Sequence, residues 1–173
     1  NELFACNVPT YTFTSDGLSP LYYALAFNKL NFIDRLLLGL TDDQKVSLLT
    51  QRAEESGLFP LMYLIKLGCI EGLVLTEDPF DYFEKFIGSL NFDWDKTGCL
   101  SDSEFHYTIL QFASKVKDCR FLSLLLTIDY FKDQINVQNS IGESPLIIAG
   151  ACENYDHLKL LLTSDSDLTQ TDE

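Results

Sequence analysis

The stretch GLSPLYYALA at residues 17–26 returns as GESPLIIAGA at residues 142–151, and a leucine-rich run follows each copy. In both copies the serine is suited to accept a backbone hydrogen bond as a helix N-cap. The proline after it occupies the first helical position, where a missing N–H costs nothing. A repeated unit of this kind indicates a stack of similar units rather than one closed core.

Each copy predicts a pair of short helices. In the first copy Leu21, Ala24 and Leu25 fall on one helical face. Asn28 is expected to end this helix, because asparagine tolerates the left-handed conformation found at helix ends. The apolar residues of 30–37 then recur at helical spacing and predict the second helix.

This pattern resembles the ankyrin repeat, a unit of about 33 residues with a β-turn finger and two antiparallel helices. Residues 139–142 resemble the finger, 144–152 the first helix and 156–162 the second. The resemblance implies an all-α fold, an ankyrin-like solenoid of antiparallel helix pairs with β-turn fingers and extra helical insertions. We expect a single domain over 1–173, a fragment of a longer protein, with units near 14–40, 54–92, 93–134 and 139–171.

The two middle units depart from the pattern. Phe59 stands at the cap position of unit two, so a side-chain cap worth about 1 kcal/mol is lost there. Thr108 keeps the cap of unit three, but the proline is missing. The family's histidine after the Pro-Leu pair is absent from every unit, and Gln111 stands there in unit three. By the resemblance, the usual bond from that histidine to the finger is expected to be lost.

Two segments between the units predict further helices. Thr41 and Gln44 form a capping-box pattern, which indicates a short helix between units one and two. Gly68 and Gly72 are expected to interrupt the second helix of unit two, and Asp78-Pro79 to begin a new one. That new helix carries an aromatic stripe over residues 80–90, which favours packing on neighbouring helices over a docking face.

Composition limits the possible functions. The formal charge of −14 disfavours nucleic acid and anionic membranes, and it favours a protein partner with a basic patch or segment. No apolar run reaches the length of a membrane span, so no membrane insertion is expected. Five scattered cysteines without a C-x-x-C pattern are typical of reduced thiols, which predicts a cytoplasmic location. For a secreted effector, this location would be the host cytoplasm.

Catalytic patterns are weak, and we expect neither an enzyme nor a cofactor. The chain has two histidines, and His157 lies five residues from Cys152, which directs the two side chains to different helix faces. No phosphate-binding glycine loop is found.

One segment, residues 93–104, resembles an EF-hand calcium loop. Its candidate ligands are Asp93, Asp95, Thr97, the Cys99 carbonyl and Glu104. The same residues also fit an elongated finger without a metal, which is the preferred interpretation.

Stacked repeats expose a long concave face, and by the resemblance this face and the fingers bind a partner protein. The expected contact residues lie in the fingers and at the ends of the first helices: Ser15, Asp16, Leu18, Phe27, Glu55, Ser56, Leu58, Lys66, Leu67, Lys115, Ser140, Ile141, Glu143 and Cys152. Phe27, Leu58 and Leu67 are the expected apolar anchors, at positions predicted to be partly exposed. The alternatives are a Ca²⁺-responsive interaction module and a substrate-recruiting arm of a larger enzyme, such as a bacterial effector or a ubiquitin-ligase adaptor.

Overall fold

A computed structural model of the chain describes residues 19–51, 58–68, 70, 77–92 and 106–164. These residues form α-helices joined by turns, without a β-strand among them, which confirms the all-α class. A 3-10 turn, Leu30–Phe32, leads into the second helix. The helices are α1 (Pro20–Ala26), α2 (Ile33–Leu37), α3 (Asp42–Thr50), α4 (Pro60–Leu67), α5 (Pro79–Ser89), α6 (Ile109–Lys115), α7 (Cys119–Leu125), α8 (Asp129–Lys132), α9 (Pro145–Ala151) and α10 (Tyr155–Leu162).

The helix starts follow the predicted caps. The Ser19 hydroxyl accepts a hydrogen bond from the Tyr22 N–H at 3.1 Å, and Ser144 caps α9 in the same way. Phe59 provides no side-chain cap for α4, as expected. Asn28 follows the end of α1 and has φ of 53°. This confirms the left-handed conformation that was predicted for it.

The helices contact one another in two layers. The first-helix layer contains α1, α4, α6 and α9, each in contact with the next. The second-helix layer contains α2, α5, α7 and α10, in which α5 contacts α7 and α7 contacts α10. Each first helix also contacts the second helix that follows it, so helix pairs stack side by side.

A continuous apolar core lies between the two layers, and aromatic rings fill its middle. Phe121 of α7 is fully buried and meets the rings of Phe80 and Phe83 edge-to-face, with centroids 5.2 and 5.1 Å away. Phe83 and Phe86 of α5 are buried as well. The aromatic stripe of α5 therefore packs on neighbouring helices, as the sequence indicated.

Gly68 has a different role from the expected one. It ends α4 as its C-cap, instead of interrupting a second helix. A Cβ atom at Gly68 would lie 2.8 Å from Cε2 of Phe121, so the glycine permits the buried ring to approach the end of α4.

We predict opposite effects for two glycine-to-alanine changes. Gly68→Ala should lower the free energy of unfolding by about 1–3 kcal/mol, because the added methyl group overpacks Phe121. Gly88→Ala in α5 meets nothing within 4 Å and should be neutral or stabilising by up to about 1 kcal/mol. Urea denaturation of both variants checks this, and equal losses would contradict the close approach.

Candidate interaction surface

The outer side of the first-helix layer carries a cluster of aromatic rings. The rings of Tyr23 in α1 and Phe27, the residue that follows the helix, stack with centroids 6.2 Å apart and planes 6° apart. Phe27 is 67% exposed and Tyr23 is 37% exposed. Tyr22 meets Tyr63 of α4 edge-to-face at 5.2 Å, so the aromatic cluster continues from α1 to α4.

Two lysines of this layer lie over tyrosine rings. The Lys66 Nζ is 5.2 Å from the centroid of Tyr63, and the Lys115 Nζ is 5.0 Å from that of Tyr107. Both lysines are exposed and belong to the last turns of α4 and α6. Such cation–π contacts hold a long side chain in one place without cancelling its charge.

A tight turn over residues 138–143, called here the 138–143 finger, projects before α9. The Asn139 Oδ1 accepts hydrogen bonds from the backbone N–H groups of Ile141 (3.1 Å) and Glu143 (2.8 Å). Gly142 has φ of +83°, a conformation that favours glycine. The turn leaves Ile141 43% exposed at its tip.

Gln111 joins this finger to α6 and corrects the expectation that the finger bond is lost. Its amide Nε2 donates hydrogen bonds to the carbonyls of Val137 (2.7 Å) and Glu143 (3.1 Å). Its Oε1 accepts from the Thr108 N–H at 2.8 Å, completing a capping box. Glutamine can perform both roles because its amide has a donor and an acceptor.

Asn154 forms a second polar connection between neighbouring helix pairs. Its Nδ2 donates to the backbone carbonyls of Ser114, Lys115 and Val116 at 3.1–3.3 Å. These carbonyls belong to the C-terminal end of α6, where the helix has no N–H groups of its own to bond them. The start of α10 is thus fixed to the end of α6 beside Lys115. In the sequence this contact is marked by no more than an asparagine before a second helix, and it was not predicted.

The structure divides the predicted contact residues into three groups. Exposed or half-buried on this surface are Phe27, Lys66, Lys115, Ser140, Ile141, Glu143 and Cys152. Leu58 and Leu67 are only 8% and 3% exposed, so their predicted partial exposure is wrong; they belong to the core between helix pairs. Outside the described residues lie Ser15, Asp16, Leu18, Glu55, Ser56 and the calcium candidates Asp93, Asp95, Thr97, Cys99 and Glu104.

His157 lies beneath this surface and not on it. It is 1% exposed at the joint of α10 with α6, where its ring bonds to the backbone of Ala113. Its Nε2 has no hydrogen-bond partner among the described residues. Burial lowers the pKa of His157 below the usual 6.5, since the charged ring would lose its hydration. The residue is therefore a neutral core residue.

On the second-helix layer, a groove of about 580 Å³ lies between α5, α7 and α10. Phe80, Leu124 and Leu160 line it together with residues of both charges, such as Arg120 and Asp156. No three His, Cys, Asp or Glu side chains converge as a metal site within the described ranges. None of the described helices is both long and apolar enough to cross a membrane.

Comparison with known proteins yields a fold but no family. No family model matches the chain, and no curated protein matches it. Among solved structures, 212 chains match, so the fold is common and does not by itself select a function. One of them belongs to the complex of the Bdellovibrio bacteriovorus predatory endopeptidase Bd0816 with the immunity protein Bd3460. It is 19% identical, the match covers 99% of this chain and 77% of that chain, and the TM-score is 0.70. At this identity the likeness shows the fold alone.

We predict that Gln111 contributes more to stability than its capping box explains. Gln111→Met should cost about 1–3 kcal/mol, because the carbonyls of Val137 and Glu143 lose their donor. Amide exchange in the 138–143 finger should become faster. Gln44→Met is the matched control, since the Gln44 Oε1 accepts from the Thr41 N–H at 2.9 Å in an exposed capping box. Equal losses in the two variants would contradict a special role for the finger bonds.

The buried histidine predicts acid sensitivity. Because the folded-state pKa of His157 is lowered, the unfolded chain binds this proton more readily, and stability should fall as the pH drops below about 6.5. His157→Phe should remove this part of the pH dependence. Phenylalanine is chosen because Phe121 is buried at the equivalent position of α7. Chemical denaturation between about pH 7.5 and pH 5 measures it. The exposed His106, changed to Asn, is the control, and an unchanged pH profile in His157→Phe would refute the assignment.

Proposed function

We propose that this chain is a protein-binding module built as an ankyrin-like solenoid. Its contact face is the outer side of the first-helix layer together with the 138–143 finger. The stacked helix pairs, the Ser-Pro helix starts and the finger before α9 support this architecture. The same features are expected of the repeat that the sequence resembles.

The observation that carries the proposal is the aromatic cluster on α1 and α4. Phe27 and Tyr23 are exposed and stacked on each other, and Tyr22, the residue before Tyr23, meets Tyr63 of α4. Exposed aromatic residues that lie together are typical of interface hot spots. Stacking already restricts their rotamers, which reduces the entropy cost of binding.

The second-helix layer supports a contact face less well. Its most exposed apolar residues are Leu38, at the end of α2, and Tyr155, at the start of α10, which are 79% and 77% exposed. They lie in the first and last described helix pairs and not in one cluster. Isolated exposed apolar residues are common on protein surfaces and need no partner.

The proposal assigns the chain binding and no catalysis. His157, one of the two histidines, is buried with a lowered pKa, so it is unsuited to proton transfer with a substrate. The cytoplasmic location and the preference for a basic partner stay predictions from the sequence. The matching solved chain from Bdellovibrio bacteriovorus was found in a complex of two proteins, which is compatible with a binding role for this fold.

Selection of random peptides displayed on phage against the folded protein tests the contact face. We expect the selected peptides to lose at least about tenfold in affinity for the variant Tyr23→Ser/Phe27→Ser, because two anchor rings are removed. The matched control is Tyr155→Ser/Leu162→Ser, which removes comparable exposed apolar area from the second-helix layer. Fluorescence polarisation gives the affinities, and circular dichroism checks folding. Peptides that respond only to the control variant would refute the assigned face.

A further inference from the structure

The first-helix layer has a charge opposite to that of the whole chain. The described first helices read PLYYALA, PLMYLIKL, ILQFASK and PLIIAGA, which contain two lysines and no acidic residue. The full chain has a net charge of −14. Lys66 and Lys115 are thus the charged side chains of these four helices, and Glu143 lies beyond them in the 138–143 finger.

Lys66 and Lys115 occupy equivalent positions in neighbouring helices. Each lysine is the seventh residue after the N-cap of its helix, which is Phe59 in α4 and Thr108 in α6. Both lysines are exposed in the last turn of their helix. Because α4 contacts α6, the axes of these two helices are roughly 8–10 Å apart, the usual distance between packed helices. The two lysines thus lie at equivalent ends of adjacent helices.

Neither lysine forms an ion pair with a carboxylate of the residues that the structure describes. Within the described part of the chain, their contacts are with the rings of Tyr63 and Tyr107. Two cations of the second-helix layer are paired, Lys85 with Asp34 at 2.6 Å and Arg120 with Asp118 at 2.7 Å. A cation without a carboxylate partner on an exposed face retains its attraction for an incoming anion.

A purely structural role explains these lysines less well. A lysine in the last helical turn interacts favourably with the helix dipole. However, α1 and α9 have Ala26 and Ala151 at the equivalent position, so the fold does not require a cation there. The lysines are confined to the two middle helices, beside the aromatic cluster.

We propose that the first-helix face binds an acidic, partly apolar segment of the partner protein, with carboxylates on Lys66 and Lys115 and apolar side chains on Tyr23 and Phe27. This rests on the proposed function, and it replaces the basic partner that the net charge of −14 predicted. An extended segment advances about 3.3 Å per residue, so the two carboxylates would be about three residues apart. Lys66 contributes more to the binding affinity than Lys115. The ring of Tyr107 lies under Lys115, and its hydroxyl donates to the Glu143 carboxylate at 3.2 Å, so a negative charge already lies near Lys115.

The test uses the displayed random peptides that depend on Tyr23 and Phe27. Their sequences should be enriched in Asp and Glu relative to the starting library. Lys66→Gln/Lys115→Gln should weaken their binding by roughly five- to tenfold, and added salt should weaken binding to the wild type more than to this variant.

The matched control is Arg35→Gln/Lys159→Gln, which removes two exposed cations from the second-helix layer. The two double variants have the same net charge, so a general electrostatic effect would weaken both equally. Lys66→Gln alone should have a larger effect than Lys115→Gln alone.

The outcomes separate the two proposals. Peptides that need Tyr23 and Phe27 but are basic, or that bind the Lys66/Lys115 variant and its control equally, overturn the acidic partner and leave the contact face intact. If no selected peptide depends on Tyr23 and Phe27, both the acidic partner and the contact face are refuted.

Discussion

Each helix pair in this chain is too short to bury its own apolar side, and this makes every pair depend on its neighbours. The first helices have seven or eight residues, fewer than an isolated helix needs to be stable in water. Fully buried residues such as Leu61, Leu110 and Leu125 belong to one continuous core that runs across the pairs. The free energy of folding therefore comes mainly from contacts between pairs, which is the physical property of stacked repeats.

Polar connections fix the geometry that apolar contacts alone leave adjustable. Gln111 joins α6 to the 138–143 finger, and Asn154 joins the start of α10 to the end of α6. Both are single amides that satisfy several backbone groups of a neighbouring element. A hydrogen bond needs a particular direction and distance, whereas apolar packing tolerates some sliding. The finger and Lys115 are consequently held in a defined position relative to each other.

The sequence predicted the helix starts correctly, because these depend on residues only a few positions apart. The caps at Ser19, Thr41 and Ser144 need only a hydroxyl and an amide three residues apart, and all three were confirmed. The effect of the missing histidine was predicted wrongly, because the bond to the finger was assumed to require a histidine. The amide of Gln111 reaches the same finger with a different side chain.

Burial could not be predicted at the same level, because it depends on the helices that flank each unit. Phe27 and Leu67 occupy equivalent positions, yet Phe27 is 67% exposed and Leu67 only 3% exposed. The difference follows from α4, which contacts α1, α3, α5 and α6, whereas α1 is the first helix of the described stack. A repeat pattern identifies the position within a unit, but the exposed fraction also requires knowledge of which units lie on each side.

Net charge has the same limitation as a guide to the contact face. The value of −14 is a sum over the whole chain, whereas a bound segment responds to charges within about 8 Å, the screening length in physiological salt. Asp42 and Asp129 contribute to the sum, but they pair with Lys45 and Lys132 on exposed parts of other helices. The chain can therefore repel anionic polymers at long range and still present a positive, aromatic face to one short acidic segment. A repulsive background of this kind would favour a segment that combines carboxylates with apolar anchors over one that is merely acidic.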